Sequence, residues 1–185
     1  MSRKITFGLS VSSVRQAQKQ LADYKNSLQR RCREFVKRLS EQGIDVAKVN
    51  LHSEYKSFIA FTTELDPIED GYRALMIATN TGLVRRQWRT NNNATGIETA
   101  DVSPLMMSEF GSGAKADNAR GAQFGMGTGT FPGQKHANDP GGWYWQDLNY
   151  EWHQSDGEEP TMPMYHAYDA MLNAIVRTAK EVFGA

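Results

Sequence analysis

SSVRQAQKQLADYKNSLQRRCREFVKRLSEQG, from Ser12 to Gly43, is the stretch whose reading decides the fold. Val14, Ala17, Leu21, Tyr24, Leu28, Cys32, Phe35 and Leu39 recur at steps of three and four, which lines them up along one stripe of a long helix. Lys19, Lys25, Arg30, Arg33 and Lys37 fall on the opposite face. A serine hydroxyl accepts a hydrogen bond from an orphan N–H of a first turn, so Ser12 or Ser13 is expected to cap this helix and Gly43 to end it. Ile44 to Leu51 then reads as a short second helical piece. Residues 1–10 read as an arm, with Ile5–Leu9 alternating enough for a short strand.

Beyond Lys56 the period changes. Phe58–Thr63 is β-branched and aromatic, Tyr72–Thr79 is a second apolar run, and Asp66-Pro67 and Asp70-Gly71 stand between them as turn signals. Leu83–Trp88 is expected as a third strand and Ile97–Ala100 as extended chain, with Asn91–Asn93 a loop between them. Pro104–Phe110 is short and mostly apolar. Trp143–Trp145 and Tyr150–Trp152 read as two aromatic strands around a turn at Asp147–Asn149, closed by Asp156-Gly157. Thr161 is placed to cap a last helix, with Pro163 in its first turn, where a missing N–H costs nothing. Tyr168, Met171, Leu172, Ile175, Ala179 and Val182 are expected to form that helix's core-facing stripe. The fold class is therefore α+β: a single domain, 1–185, with long N-terminal and C-terminal helices on an antiparallel sheet. A glycine-rich loop, 114–140, interrupts it, too long for an ordinary connection.

Composition narrows the function. The chain of 185 residues has zero formal net charge, so its overall balance does not call for nucleic acid or acidic lipid. Charge is nonetheless polarised. Basic residues dominate Arg3–Lys48, whereas Asp139–Asp169 holds Asp147, Glu151, Asp156, Glu158 and Glu159 and no Lys or Arg. Such ends suit head-to-tail contact between identical subunits, and equally pairing within one chain. The single cysteine, Cys32, excludes an intrachain disulfide and reads as a buried thiol in a reducing compartment. No apolar run approaches the ~18 residues of a membrane span, and no signal-peptide core opens the chain. A soluble protein made in a cytoplasm is the expectation.

Catalytic patterns are weak. The glycines Gly111, Gly113, Gly121, Gly125, Gly127 and Gly129 lack the Gly-Lys-Ser/Thr ending of a phosphate loop. His136 and Asp139, with His153 and His166 at a distance, show no metal-ligand spacing. Glu158-Glu159 and the group Asp66, Glu69 and Asp70 lie in turn sequences, and no nucleophile-elbow motif appears. The expectation is no catalytic site, no metal and no cofactor. Arg30-Arg31-Arg33, Lys37-Arg38 and Arg85-Arg86-Arg89 suit at most nonspecific contact with a phosphate backbone.

The order of the pieces carries a resemblance. After the long helix and the strands come EFGSG (Glu109–Gly113), a glycine-rich excursion, the aromatic GGWYW (Gly141–Trp145), and TMPMYHA (Thr161–Ala167) opening a helix that ends IVRTAKEVFG (Ile175–Gly184). This resembles the tail-completion, or head–tail joining, proteins of long-tailed bacteriophages and prophages, over most of the chain and most clearly from Glu109 to Phe183. Ser112 departs from the commoner threonine, and Lys115–Pro140 is long for the family.

The resemblance implies a structural virion protein without catalysis, forming a ring, commonly hexameric, in the neck between the head connector and the tail tube. Implied partners are itself, the connector or stopper protein, the tail terminator or tube protein, and DNA in the lumen; no membrane is implied. Localisation would be the virion, after assembly in the host cytoplasm. The family motif falls on Glu109, Phe110, Gly111, Gly113, Trp143, Tyr144, Trp145 and Pro163. Beside it, charge polarity suggests that Arg30, Arg33 and Lys37 of one subunit meet Glu151, Glu158 and Glu159 of the next. A tail terminator or other minor tail protein is the alternative within this class. A small metal-dependent hydrolase or nuclease on His136, Asp139 and His153, or a nonspecific DNA-binding module, represents the other classes.

Overall fold

The computed structural model describes residue 8 and residues 10–89, 96–123 and 139–184. The chain is α+β, in the order α1 (Val11–Val49), a 3-10 turn (Ser53–Phe58), β1 (Ile59–Ile68), β2 (Gly71–Asn80), β3 (Val84–Arg89), β4 (Ile97–Val102), α2 (Pro104–Phe110), β5 (Ser112–Gly113), α3 (Asn118–Gln123), β6 (Trp143–Gln146), β7 (Trp152–Ser155), β8 (Gly157–Glu158) and α4 (Pro163–Phe183). Among the described residues the strands pair two by two, β1 with β2, β3 with β4, β5 with β8 and β6 with β7. The chain gathers into two compact units.

The first unit comprises Met1–Asp45, Thr62–Ile77 and Tyr168–Ala185. Here α1 begins one residue earlier than its expected caps. Ser10 supplies the cap: its Oγ accepts from Ser13 N–H at 3.2 Å, and its carbonyl accepts from Val14 N–H at 3.1 Å. The helix does not stop at Gly43 but runs 39 residues to Val49, absorbing the second piece expected at 44–51. A helical glycine costs about 1 kcal/mol against alanine, yet here the missing Cβ serves packing. A Cβ at Gly43 would lie 2.8 Å from Met171 Sδ and 3.2 Å from Met76 Sδ.

α4 runs antiparallel to the C-terminal half of α1 within this unit. Phe35 meets Phe183 with ring centroids 5.8 Å apart, Arg38 faces Glu181 at 3.9 Å, Arg177 donates to Gln42 Oε1 at 3.4 Å, and Gly43 abuts Met171. α4 ends beside Phe35, so nothing of α4 stands opposite residues 11–30. Ala17 is buried, but the larger apolar residues of the stripe there are left in solvent: Leu21 is 55% exposed, Tyr24 48% and Leu28 42%. Cys32, expected to be buried, is half-buried.

The α4 stripe is rotated from its expected position. Ala174 and Thr178 are buried and Met171 half-buried, while Tyr168, Leu172 and Ile175 are exposed. The small residues let the helices approach closely, and the larger apolar ones are turned away. In the same unit β1 continues through Asp66-Pro67, where a turn was expected, and the reversal falls at Glu69-Asp70. Pro67 is tolerable because a residue at a sheet edge has no obligatory ladder N–H. Asp66 instead pairs across the hairpin with Arg73 at 2.8 Å.

The second unit comprises Val46–Phe61 and Ala78–Ala167. Its core is Leu51, Tyr55 and Ile59, against which Phe61, Val84, Leu105 and Met107 pack. β3 and β4 are antiparallel, in register from Val84↔Val102 to Arg89↔Ile97. Pro104–Phe110, unassigned from its sequence, is a helix. Ser103 Oγ caps it by accepting from Met106 N–H at 3.3 Å, with Pro104 at the first position.

Candidate assembly site

Of the residues that carry the resemblance, Glu109, Gly111, Gly113, Trp143 and Pro163 meet in the second unit, around the end of α2 and the start of α4. Glu109 is 7% exposed. Its carboxylate accepts from the N–H of Met164 at 2.8 Å and of Tyr165 at 3.3 Å, so it caps α4 from 55 residues away in sequence. A carboxylate there answers both the orphan N–H groups and the positive end of the helix dipole. Arg120 closes on the same carboxylate, and its guanidinium lies 4.8 Å from the Tyr165 ring centroid and 5.6 Å from that of Phe110. Thr161, the expected cap, is used otherwise. Its N–H and hydroxyl both donate to Ser108 O, at 2.8 and 3.3 Å. Pro163 is fully buried in the first turn, as its missing N–H permits.

The two motif glycines hold the chain where side chains would collide. Gly111 has φ +70°, and a Cβ there would overlap Glu158 O and lie 2.9 Å from Pro160 Cδ. Gly113 has φ +62°, and its Cβ would lie 2.6 and 2.7 Å from the outer ring atoms of Trp143. Only a residue without Cβ adopts that backbone at such distances without strain. Between them Ser112 pairs with Glu158 in the short β5–β8 ladder. Glu109, Gly111, Gly113, Trp143 and Pro163 thus belong to one packed junction.

Glu158 lies on the core side of this junction. Tyr55, fully buried, donates its hydroxyl to Glu158 Oε2 at 2.7 Å and receives Arg86 Nη2 at 3.2 Å. His52 Nε2 donates to Glu159 O at 3.1 Å and sits 3.3 Å from Glu158 Oε1, a distance without hydrogen-bond geometry. Burial first, and then the Glu158 carboxylate, hold the Tyr55 phenol well above its ordinary pKa, so it remains a donor. Glu158 is therefore engaged inside the chain. Of the acids expected to face a neighbouring subunit, Glu151 and Glu159 are exposed. Of the bases, Arg30 and Arg33 are exposed without an ion pair among the described residues, whereas Lys37 pairs with Glu41 at 3.5 Å.

The β6–β7 hairpin is aromatic on both faces. Its second strand is Trp152–Ser155, later than the expected Tyr150–Trp152, because the turn is larger. Asp147 Oδ1 accepts from the N–H of Asn149 at 2.8 Å and of Glu151 at 2.9 Å, and Tyr150 takes φ +70°. Alternation places Trp143, Trp145 and His153 on one side, with Trp145 stacked on His153 at 4.6 Å. Tyr144 and Trp152 fall on the other side, 62% and 59% exposed. Tyr150 is exposed as well, and Arg89 lies 3.5 Å over its ring.

One trio among the described residues, Asp147, Glu151 and His153, brings possible metal-ligand atoms within 4.8 Å of one another. Asp147 already uses both oxygens internally, the second facing His153 Nε2 at 3.2 Å. The Glu151 N–H first, and then the His153 and Asn149 bonds, hold the Asp147 carboxyl below its usual range. His136 lies outside the described residues, and Asp139 is not part of this trio. The Arg85-Arg86-Arg89 cluster is also engaged within the chain, with Asp101 at 3.0 Å, with Tyr55, and with Leu148 O and the Tyr150 ring. Among the described residues no helix is long and apolar enough to cross a membrane. Comparison of the chain with known protein families, characterised proteins and solved structures gives no match.

Proposed function

We propose that the chain is a structural virion protein that forms a ring in the neck of a long-tailed phage, completing the tail and joining it to the head connector. DNA passes through the lumen, and the protein performs no catalysis. The observation that carries this reading is the exposure of large apolar side chains at helical spacing on both long helices, Leu21, Tyr24 and Leu28 on α1 and Tyr168, Leu172 and Ile175 on α4. Scattered exposed apolar residues are ordinary, but aligned stripes of this length mark interaction surfaces.

The junction around Glu109 supports the same reading. Its chemistry, a buried acid and two obligatory glycines, holds backbone and a helix start in place. That is what a subunit needs if its surfaces must meet several neighbours at fixed angles. The test is reconstitution: purified protein is mixed with tails assembled without it and with filled heads. Joined particles that contain the protein support the reading. Tails that join to heads equally well without it, or a protein that never enters particles, overturn it.

A further inference from the structure

Resting on the ring reading, we infer that the free N-terminal half of α1 docks on the aromatic, acidic face of the β6–β7 hairpin of the next copy. Residues 11–34 continue past the last contact with α4, a length of about 36 Å at 1.5 Å per residue. Helices in proteins owe most of their stability to a packed amphipathic face, and this segment exposes Leu21, Tyr24 and Leu28. The same stripe is covered farther along by α4, through Phe35 and Gly43. The part from Leu21 to Leu28 is uncovered and therefore awaits an equivalent apolar partner.

Charge identifies the partner. Residues 11–31 carry Arg15, Lys19, Lys25, Arg30 and Arg31 against Asp23 alone. A second copy of this segment would meet it with the same sign. The exposed face of α4 offers no counter-charge, since Asp169 and Glu181 are balanced by Arg177 and Lys180. The stretch 139–169 has seven acids and no Lys or Arg; Asp147, Asp156 and Glu158 are bonded within the chain, and Glu151 and Glu159 stand exposed. Its hairpin presents Tyr144 and Trp152 outward, with Glu151 exposed beside them. Size agrees too. Leu21 to Leu28 spans about 10 Å of helix, and a four-residue strand spans about 13 Å. Because the two surfaces differ, the contact is heterologous, and repetition closes a ring if the rotation permits.

The experiment is sedimentation velocity on the full chain and two surface variants, with circular dichroism checking that each keeps the wild-type fold. Leu21→Ser/Leu28→Ser removes the helix surface, and Tyr144→Ser/Trp152→Ser removes the hairpin surface. Each variant alone is expected to remain monomeric where the wild type is fully assembled. An equimolar mixture is expected to stop at a dimer, because one intact helix surface and one intact hairpin surface remain. Glu151→Lys is expected to raise the assembly midpoint about tenfold, the effect of roughly 1.4 kcal/mol. A hairpin variant that assembles normally, or a mixture that stays monomeric, overturns the docking while leaving the ring reading standing. A wild-type chain that is monomeric at every concentration overturns both.

Discussion

Replacing Glu109 tests the junction at its centre. The Glu109 side chain is 9% exposed and that of Arg120 18%, and the acid holds the first turn of α4 through two N–H groups. Glu109→Ala removes the cap, worth about 0.5–2 kcal/mol, and leaves Arg120 largely buried without its partner. Breaking a buried pair on one side costs about 3–5 kcal/mol. Because the two losses share one carboxylate they do not simply add, and a total near 4 kcal/mol is expected. For a chain of this size, 1 kcal/mol moves Tm by about 2–4 °C, so Tm should fall by roughly 8–16 °C. Glu109→Gln keeps an acceptor for the cap and loses the charge, and should cost about half as much. Thermal unfolding followed by circular dichroism and checked in urea gives the answer. If Glu109→Ala costs under about 1 kcal/mol, the acid is not what anchors α4.

Other positions give separate expectations. Gly113→Ala forces a Cβ against Trp143 at φ +62° and should cost about 1–3 kcal/mol, read by urea unfolding with tryptophan fluorescence. Tyr55→Phe leaves the Glu158 carboxylate without its phenol donor and should cost about 1–3 kcal/mol. In the wild type, spectrophotometric titration should find one of the seven tyrosines ionising only with alkaline unfolding. The neutral Tyr55 phenol contributes stability below its unfolded pKa near 10, and that contribution fades as pH rises beyond it. The depressed Asp147 carboxyl works in the opposite direction. Its contribution is present above pH ~4, the unfolded value, and is lost as pH falls through the lower folded value. Asp147→Asn should therefore remove an acid-linked fluorescence change of the Trp145–His153 stack below pH ~4.

The α+β class and the two long helices were legible because amphipathic periodicity survives whatever the helices pack against. What they pack against was not legible. Tyr168, Met171, Leu172, Ile175, Ala179 and Val182 read as the inward stripe of α4, yet Ala174 and Thr178 are the residues buried, with Tyr168, Leu172 and Ile175 exposed. Gly43 looked like a helix stop because local propensity says so, and Met171 explains why it is a packing contact. Thr161 reads as the cap of α4 because a local serine or threonine hydroxyl is the usual acceptor at a helix start. Glu109 takes the role across 55 residues, and no spacing rule within the helix reveals it. The motif that contains Glu109 was visible in the sequence, as were Gly111, Gly113, Trp143 and Pro163, but not that they meet. Charge polarity sets Glu158 toward a neighbouring subunit, but nothing in the sequence reveals its bond with Tyr55, whose aromatic ring reads there as ordinary core.

The proposed neck ring is best tested by imaging, at side-chain resolution, the neck of the phage particle proposed to carry this chain. The expected image is a closed ring of this chain between connector and tail, with Leu21, Tyr24 and Leu28 of each subunit covered by a neighbour. A neck whose density is fully explained by other chains would contradict it.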